Sequence, residues 1–211
     1  MESPKNQPIA VVLAAGLSRR MGQAKLLMPW VDGKSVLEQT LSHLLEVIQP
    51  AQALLISGGY RDAVEAIAGN MGIRSIYNEA YATGEMLSSL KVAVETLVKE
   101  KSGVRGMLVL LGDVPLLQPS TIATVLRLAD ERPEMNLIAP VFEGKQGHPV
   151  FIRSTLFDSL LNLPPSGAPR DLFKANSKAV LRVGVDDPGS VIDIDTPALY
   201  ARYRPPTSSY F

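Results

Sequence analysis

Apolar residues follow two alternating rhythms along this chain. Short continuous runs rich in Val, Ile and Leu are separated by longer stretches in which apolar residues recur at helical spacing. The runs Ile9–Leu13, Ala53–Ser57, Ile73–Tyr77, Met107–Leu111, Leu137–Val141 and Val180–Val183 predict buried strands. Met107–Leu111 is the most apolar and is expected near the centre of the sheet. The turn at residues 146–151 leads into a further strand. Ser35 and Glu38 form an S-x-x-E capping box, which predicts a helix starting there with Val36, Leu37, Leu41, Leu44, Leu45 and Ile48 on its apolar stripe. Further helices are predicted over Arg61–Asn70, after residue 84, from Pro119 to about Ala129, over Ser154–Leu161 and Arg170–Ala175, and after Thr196-Pro197. Residues 26–34 read as a turn holding Trp30, Asp32 and Gly33. Strand and helix alternate, which predicts one α/β domain with a mostly parallel sheet flanked by helices. Its core is expected over about residues 8–203, with a loose tail over 205–211.

Composition narrows the class. A chain of 211 residues with 46% hydrophobic and 20% charged residues can bury one sizeable core. Lys+Arg and Asp+Glu are both 21, so any electropositive site is local, and nothing global points to nucleic acid or an anionic membrane. There is no cysteine, which excludes disulfides, thiolate zinc sites and a cysteine nucleophile and fits a reducing cytoplasm. The opening residues MESPKNQP contain no apolar signal segment, and no apolar run approaches the ~20 residues of a membrane helix.

The chemistry concentrates where the first strand ends. Ile9 to Lys25 reads IAVVLAAGLSRRMGQAK. Ala14, Ala15 and Gly16 let another molecule approach the backbone closely. Arg19, Arg20 and Lys25 follow, so that molecule is expected to be anionic. Gly16 has Met21 where a Walker loop needs its second glycine, and Ser18 where a dinucleotide fingerprint needs one, so neither pattern fits.

Three further stretches stand out. In Asn78–Leu90 (NEAYATGEMLSSL), Gly84, Ser88 and Ser89 lie where a loop passes into a helix; they can cap that helix or read a base edge or a phosphate. Gly112-Asp113-Val114-Pro115 places a carboxylate directly after the most apolar strand, well placed for a divalent cation. Asp193 and Asp195 flank Ile194; in a strand both would point to one side, and Asp195 can instead compensate the start of the last helix. His43 falls on a helix with no partner at metal-ligand spacing. Arg170 with Asp171 reads as an ordinary helix-start pair.

The pattern L-A-A-G-x-S-x-R-M-G-x-x-K, followed by G-D-x-P at Gly112–Pro115 and D-x-D-T-P at Asp193–Pro197, resembles the nucleotidyltransferases of the nucleotide-diphospho-sugar-transferase-like fold, and most of all the molybdenum cofactor cytidylyltransferase branch. The order and spacing match from Ile9 to about Tyr203. The resemblance implies that the first loop wraps a nucleoside triphosphate, with Leu13, Ala14, Ala15, Gly16, Ser18, Arg19, Gly84, Ser88 and Ser89 binding nucleotide. It implies catalytic roles for Arg20, Lys25 and Asp113, with Asp113 and Asp193 as Mg²⁺ ligands. Ala14-Ala15-Gly16 resembles the branch that uses CTP. His148, in a G-H-P turn, is similar to an acceptor-side segment. Two departures are visible: G-E-M-L-S-S-L stands where that branch has G-M-S-S-S-L, and Val114 stands where it often has Gln. The implied activity is transfer of CMP from CTP to the phosphate of molybdopterin, with a molybdoenzyme or its chaperone as receiver. Transfer to a sugar or polyol phosphate, or a non-catalytic role as molybdenum cofactor carrier or insertion protein, are the alternatives.

Overall fold

The computed structural model describes residues 7–83, 85–100 and 103–206. In chain order the elements are β1 (Ile9–Ala14), β2 (Pro29–Val31), β3 (Lys34–Ser35), α1 (Val36–Leu45), β4 (Ala53–Ser57), α2 (Arg61–Asn70), β5 (Arg74–Tyr77), α3 (Glu85–Lys99), β6 (Gly106–Leu111), α4 (Pro119–Glu131), β7 (Leu137–Phe142), β8 (Lys145–Gln146), β9 (Val150–Arg153), α5 (Phe157–Leu161), α6 (Arg170–Ala175), β10 (Val180–Gly184) and α7 (Pro197–Tyr203). The tail expected over 205–211 lies, from residue 207 on, outside the described residues.

The main sheet runs β10-β7-β9-β6-β1-β4-β5, with β8 paired to β7. The pairs β1·β4, β1·β6, β4·β5 and β7·β10 are parallel. Only β9 and the short β8 run against their neighbours. Chain length explains the reversal. A parallel return needs a crossover of a dozen or more residues, and only residues 143–149 separate β7 from β9.

Alternation along the strands divides the core. Ala10, Val12, Leu55, Leu108 and Leu110 face α1, α2 and α4. Val11, Leu54, Ile56, Met107 and Val109 face α3, α5 and α6. A smaller cluster joins Met21, Trp30, Val36 and Ile194, with Tyr200 packed against it. It docks the C-terminal segment on the β2–β3 hairpin, where the Tyr200 hydroxyl also donates to the Pro29 carbonyl.

Two expectations need correcting. Residues 26–34 are not merely a turn: they hold a 3₁₀ turn and the β2–β3 hairpin, closed by Asp32 (φ 51°) and Gly33 (φ 76°) in the left-handed region that tight hairpin turns demand. Residues 192–195 form no strand. The Ile194 amide instead donates to the Asp113 carbonyl (2.8 Å).

Chain reversal determines where a site can form. From β1 the chain moves outward to β4 and β5, then returns through α3 to β6 on the other side of β1. Beyond the carboxyl ends of β1 and β6 the two halves diverge, and such a switch point opens a crevice.

The capping box is formed. The Ser35 amide donates to the Glu38 carboxylate (2.6 Å), and the Glu38 amide donates to Ser35 Oγ (3.2 Å). The Ser35 hydrogen bonds hold the Glu38 carboxyl below its ordinary value, aided by the charge of Lys34. Ser35→Ala is expected to cost about 1 kcal/mol, read as a lowered urea midpoint. Because the folded pKa is depressed, the stabilisation from Glu38 is present above the ordinary value of 4.5 and lost as pH falls through the folded value. The gap between wild type and Glu38→Ala is therefore expected to stay constant above that value and to narrow below it.

Candidate functional site

The loop after β1 is held to its neighbours by backbone contact. Gly112 donates to the Leu13 carbonyl (2.9 Å) and Gly59 to the Ala15 carbonyl (3.1 Å). A Cβ on Gly58 would stand 2.6 Å from the Ala15 oxygen and 2.6 Å from Tyr81 Cβ. Only glycine lets these segments converge. Ser18 takes a left-handed conformation (φ 53°), and its hydroxyl accepts from the Lys25 amide (3.2 Å), so the basic turn folds back on itself.

That folding carries Lys25 across to β6. Its ammonium donates to the Asp113 carboxylate, and both side chains are largely buried. Arg20 pairs with Asp195 (2.5 Å) while its own side chain remains mostly exposed. Asp195 also lies against Asp193. Burial, followed by the charge of Asp193 and a hydrogen bond to it, raises the Asp195 carboxyl, and Arg20 and Lys25 oppose that rise. The loop, the end of β6 and the 193–195 segment therefore converge, although no strand aligns the two aspartates.

These groups surround a cavity of ≈ 290 Å³ lined by Leu13, Ala14, Ala15, Gly16, Arg20, Lys25, Ser89, Asp113 and Asp193, together with Leu26, Tyr81, Glu85, Met86 and Leu111. Three of the described residues implied to bind nucleotide, Ser18, Arg19 and Ser88, do not line it. Ser18 braces the loop. Arg19 reaches the Ala82 carbonyl (3.3 Å), tying the loop to the turn before α3. Ser88 donates to the Glu85 carbonyl (2.9 Å) and accepts from Asn78 (2.8 Å). Gly84 lies outside the described residues. Buried Asn78 also donates to Ser89 Oγ (3.0 Å), which orients that hydroxyl and leaves its own proton for a group in the cavity.

A second cavity of ≈ 540 Å³ adjoins the first, and Met86 lines both. His148 lies in its wall. The His148 amide donates to the Ser190 carbonyl (2.7 Å), and a Cβ on Gly147 would stand 2.1 Å from the same oxygen. Burial lowers the His148 pKa, and the Val109 carbonyl, Asp113 and Asp193 work against that shift.

The carboxylates suit a hard divalent cation. Asp113 and Asp193 face one cavity with oxygen donors only. Among the described residues no third metal-capable side chain completes a protein-only cage. Mg²⁺ typically takes one or two carboxylates and fills its remaining positions with phosphate oxygens and water. A strand-end crevice lined by two cations (Arg20 and Lys25) and three carboxylates (Glu85, Asp113 and Asp193) has the chemistry to take a phosphorylated ligand with a metal ion.

The family model described as the MobA-like NTP transferase domain matches residues 10–180. The chain belongs to this family. A molybdenum cofactor cytidylyltransferase of Escherichia coli K12 is 27% identical over 89% of this chain and 90% of its own length. The purine catabolism protein PucB of Bacillus subtilis is 29% identical over 93% of this chain and 95% of its own. Rv0371c of Mycobacterium tuberculosis, solved in complex with manganese, superposes with a TM-score of 0.74 at 28% identity, covering 94% of this chain and 97% of that one. The fold is that of the nucleotide-diphospho-sugar transferases, as the resemblance implied.

For this MobA-like chain, sequence reasoning missed Tyr81, Glu85 and Met86 in the first cavity and the cations of the second. Tyr81 sits in a turn outside any motif, whereas Met86 stands inside the G-E-M-L-S-S-L stretch, of which only the glycine and the serines were singled out. Glu85 had a signal: it falls in the stretch that departs from the branch pattern, and it takes φ 48°. Gly58→Ala is expected to force apart the loop after β1 and the turn at Tyr81. It should destabilise the fold by about 1–3 kcal/mol, seen in the denaturation midpoint.

Proposed function

We propose that the protein is a Mg²⁺-dependent cytidylyltransferase that transfers CMP from CTP to the phosphate of molybdopterin and releases pyrophosphate. One observation carries the reading: Lys25, Arg20, Asp113 and Asp193 line one cavity at the carboxyl ends of β1 and β6, beside a second, larger cavity with room for an acceptor. The E. coli relative supports the choice of nucleotide and acceptor, and the manganese in the M. tuberculosis structure supports a divalent metal.

The proposed chemistry needs no strong base. An acceptor phosphate monoester, with a second pKa of about 6, is already anionic at neutral pH. Its oxygen attacks the α-phosphorus of CTP, the bond from that phosphorus to the β-bridging oxygen breaks, and pyrophosphate leaves. The protein's part is positioning and charge neutralisation. The backbone of Ala14–Gly16 lies open to the triphosphate. Lys25, now held by Asp113, is placed to stabilise charge on the leaving pyrophosphate, with Arg20 at the more exposed end. Asp113 and Asp193 would hold Mg²⁺, which supplies neutralisation of phosphate charge when bound. Ser89, oriented by Asn78, offers a donor to the nucleoside. His148 faces the acceptor. The cysteine-free composition fits a reducing cytoplasm, and no helix among the described residues is long and apolar enough to cross a membrane.

Pyrophosphate release from CTP with molybdopterin and Mg²⁺ tests this. Asp113→Asn is expected to lower kcat at least about 100-fold with the fold intact by circular dichroism. Full activity in that variant overturns the assignment of Asp113. His148→Ala is expected to raise KM for the acceptor and not for CTP; unchanged turnover and acceptor affinity would remove it from the acceptor site.

A further inference from the structure

Asp187 lines neither cavity, yet at 3% exposed it is more enclosed than Asp113 or Asp195. Burying a carboxylate is costly unless its oxygens are satisfied. Here both are. Oδ2 accepts from the Gln118 amide (3.0 Å) and the Thr121 hydroxyl (2.7 Å), and Oδ1 accepts from the Gly189 amide (2.9 Å). Gln118 and Thr121 stand at the start of α4. A helix start is ordinarily capped by the side chain of its own N-cap residue. Gln118 makes no such bond. The start of α4 is served instead by a carboxylate 69 residues further along the chain, which ties two distant segments together.

The tied segment is a 3₁₀ turn, Pro188–Val191, and it has no slack. A Cβ on Gly189 would stand 2.2 Å from the Leu116 carbonyl oxygen, so the turn lies directly on the chain between β6 and α4. Inside the turn the Ser190 hydroxyl and amide both donate to the Asp187 carbonyl (2.7 and 3.2 Å). These bonds orient Ser190, whose own carbonyl accepts from the His148 amide. The His148 imidazole lies against β6, with Nδ1 3.4 Å from the Val109 carbonyl. Further on, Ile194 is held independently, by its amide on the Asp113 carbonyl and by packing on Trp30. The segment is therefore pinned at two ends, and the pin on the His148 side is Asp187.

We propose that Asp187 is a positioning residue: its carboxylate holds the Pro188–Val191 turn on α4, and through the Ser190 carbonyl it sets where His148 stands in the wall of the second cavity. The inference rests on the transferase reading, in which His148 faces the acceptor, and adds the residue that places it. Both carboxylate oxygens are needed. Asparagine has the same shape but a single accepting oxygen, and its NH₂ group would face a donor on one side or the other. Either the hold on α4 or the hold on Gly189 is then lost, and the Ser190 carbonyl is released. Asp193 is secured from the Ile194 side, so the effect falls on the acceptor and not on the metal and nucleotide.

Asp187→Asn tests this through two readouts. Amide hydrogen exchange, followed by NMR on the whole protein, is expected to be about tenfold faster at His148 in the variant, the scale of one lost hydrogen bond to a charged group, and unchanged at Ile194. Ser35→Ala, which weakens a remote helix cap, is expected to leave His148 at its wild-type rate. Equal exchange at His148 in wild type and Asp187→Asn, or a rise shared equally by Ile194, overturns the proposal. Steady-state kinetics of CMP transfer to molybdopterin give the second readout. KM for the acceptor is expected to rise about tenfold with KM for CTP unchanged, and the rise is expected to vanish in the His148→Ala background, where no imidazole is left to misplace. An equal rise in that background, or an equal rise in KM for CTP, overturns it. Thr121→Val removes one of the three donors at nearly constant shape; it is expected to shift both readouts the same way by less, and it carries the test if Asp187→Asn does not fold. Absence of turnover in wild type rejects the transferase reading, and amide exchange then decides by itself whether Asp187 holds His148.

Discussion

The structure depends on the close approach of two parallel strand ends. β1 and β6 lie side by side, and the loop after β1 must pass within van der Waals reach of the segments after β4 and β6. Small residues make this possible: Ala14, Ala15 and Gly16 on one side, Gly58 and Gly112 on the others. The approach delivers Lys25 to Asp113. An ionised carboxylate as buried as Asp113, 6% exposed, is costly unless paired, and removing one partner of such a pair is more damaging than never having built it. The ion pair and the backbone contact thus support each other, and the site is preorganised by the packing that closes the sheet.

On the proposed reading the same sheet separates two tasks. Nucleotide chemistry is assigned to the switch point, where fixed backbone and paired charges converge. Acceptor recognition is assigned to the face over β6, β9, β7 and β10, where β9 runs backwards because its connection is too short for a crossover. That reversal brings Gly147 and His148 in just before β9, beside the carboxylates, while β10 holds its arginine at the far edge. Met86, on the first turn of α3, stands where the two cavities meet.

Much of the fold was legible because the signals were local and strong. The Ser35–Glu38 box, Pro119 at a helix start and the apolar run Ala53–Ser57 lead directly to the observed elements. The hairpin at Trp30 was not legible, since its strands are too short to show alternation and only Asp32-Gly33 marks the turn. The 192–195 segment looked like a strand but is set by one hydrogen bond to Asp113 and by Ile194 packing on Trp30. Lys25, Asp113 and Asp193 could be read as a group because motifs carry them. Ser18 and Arg19 share the motif yet brace the loop, a distinction that depends on one left-handed residue. Arg170, Lys174 and Arg182 belong to no motif; the first two share α6, and only the fold brings Arg182 of β10 to the same cavity.

The most direct test is calorimetric titration of CTP, with and without Mg²⁺, into wild type and Asp113→Ala. If the crevice between β1 and β6 holds a metal-bound triphosphate, CTP binds wild type only with Mg²⁺ and binds the variant much more weakly. Equal affinity in all four titrations, or no binding of CTP to wild type with Mg²⁺, would contradict it.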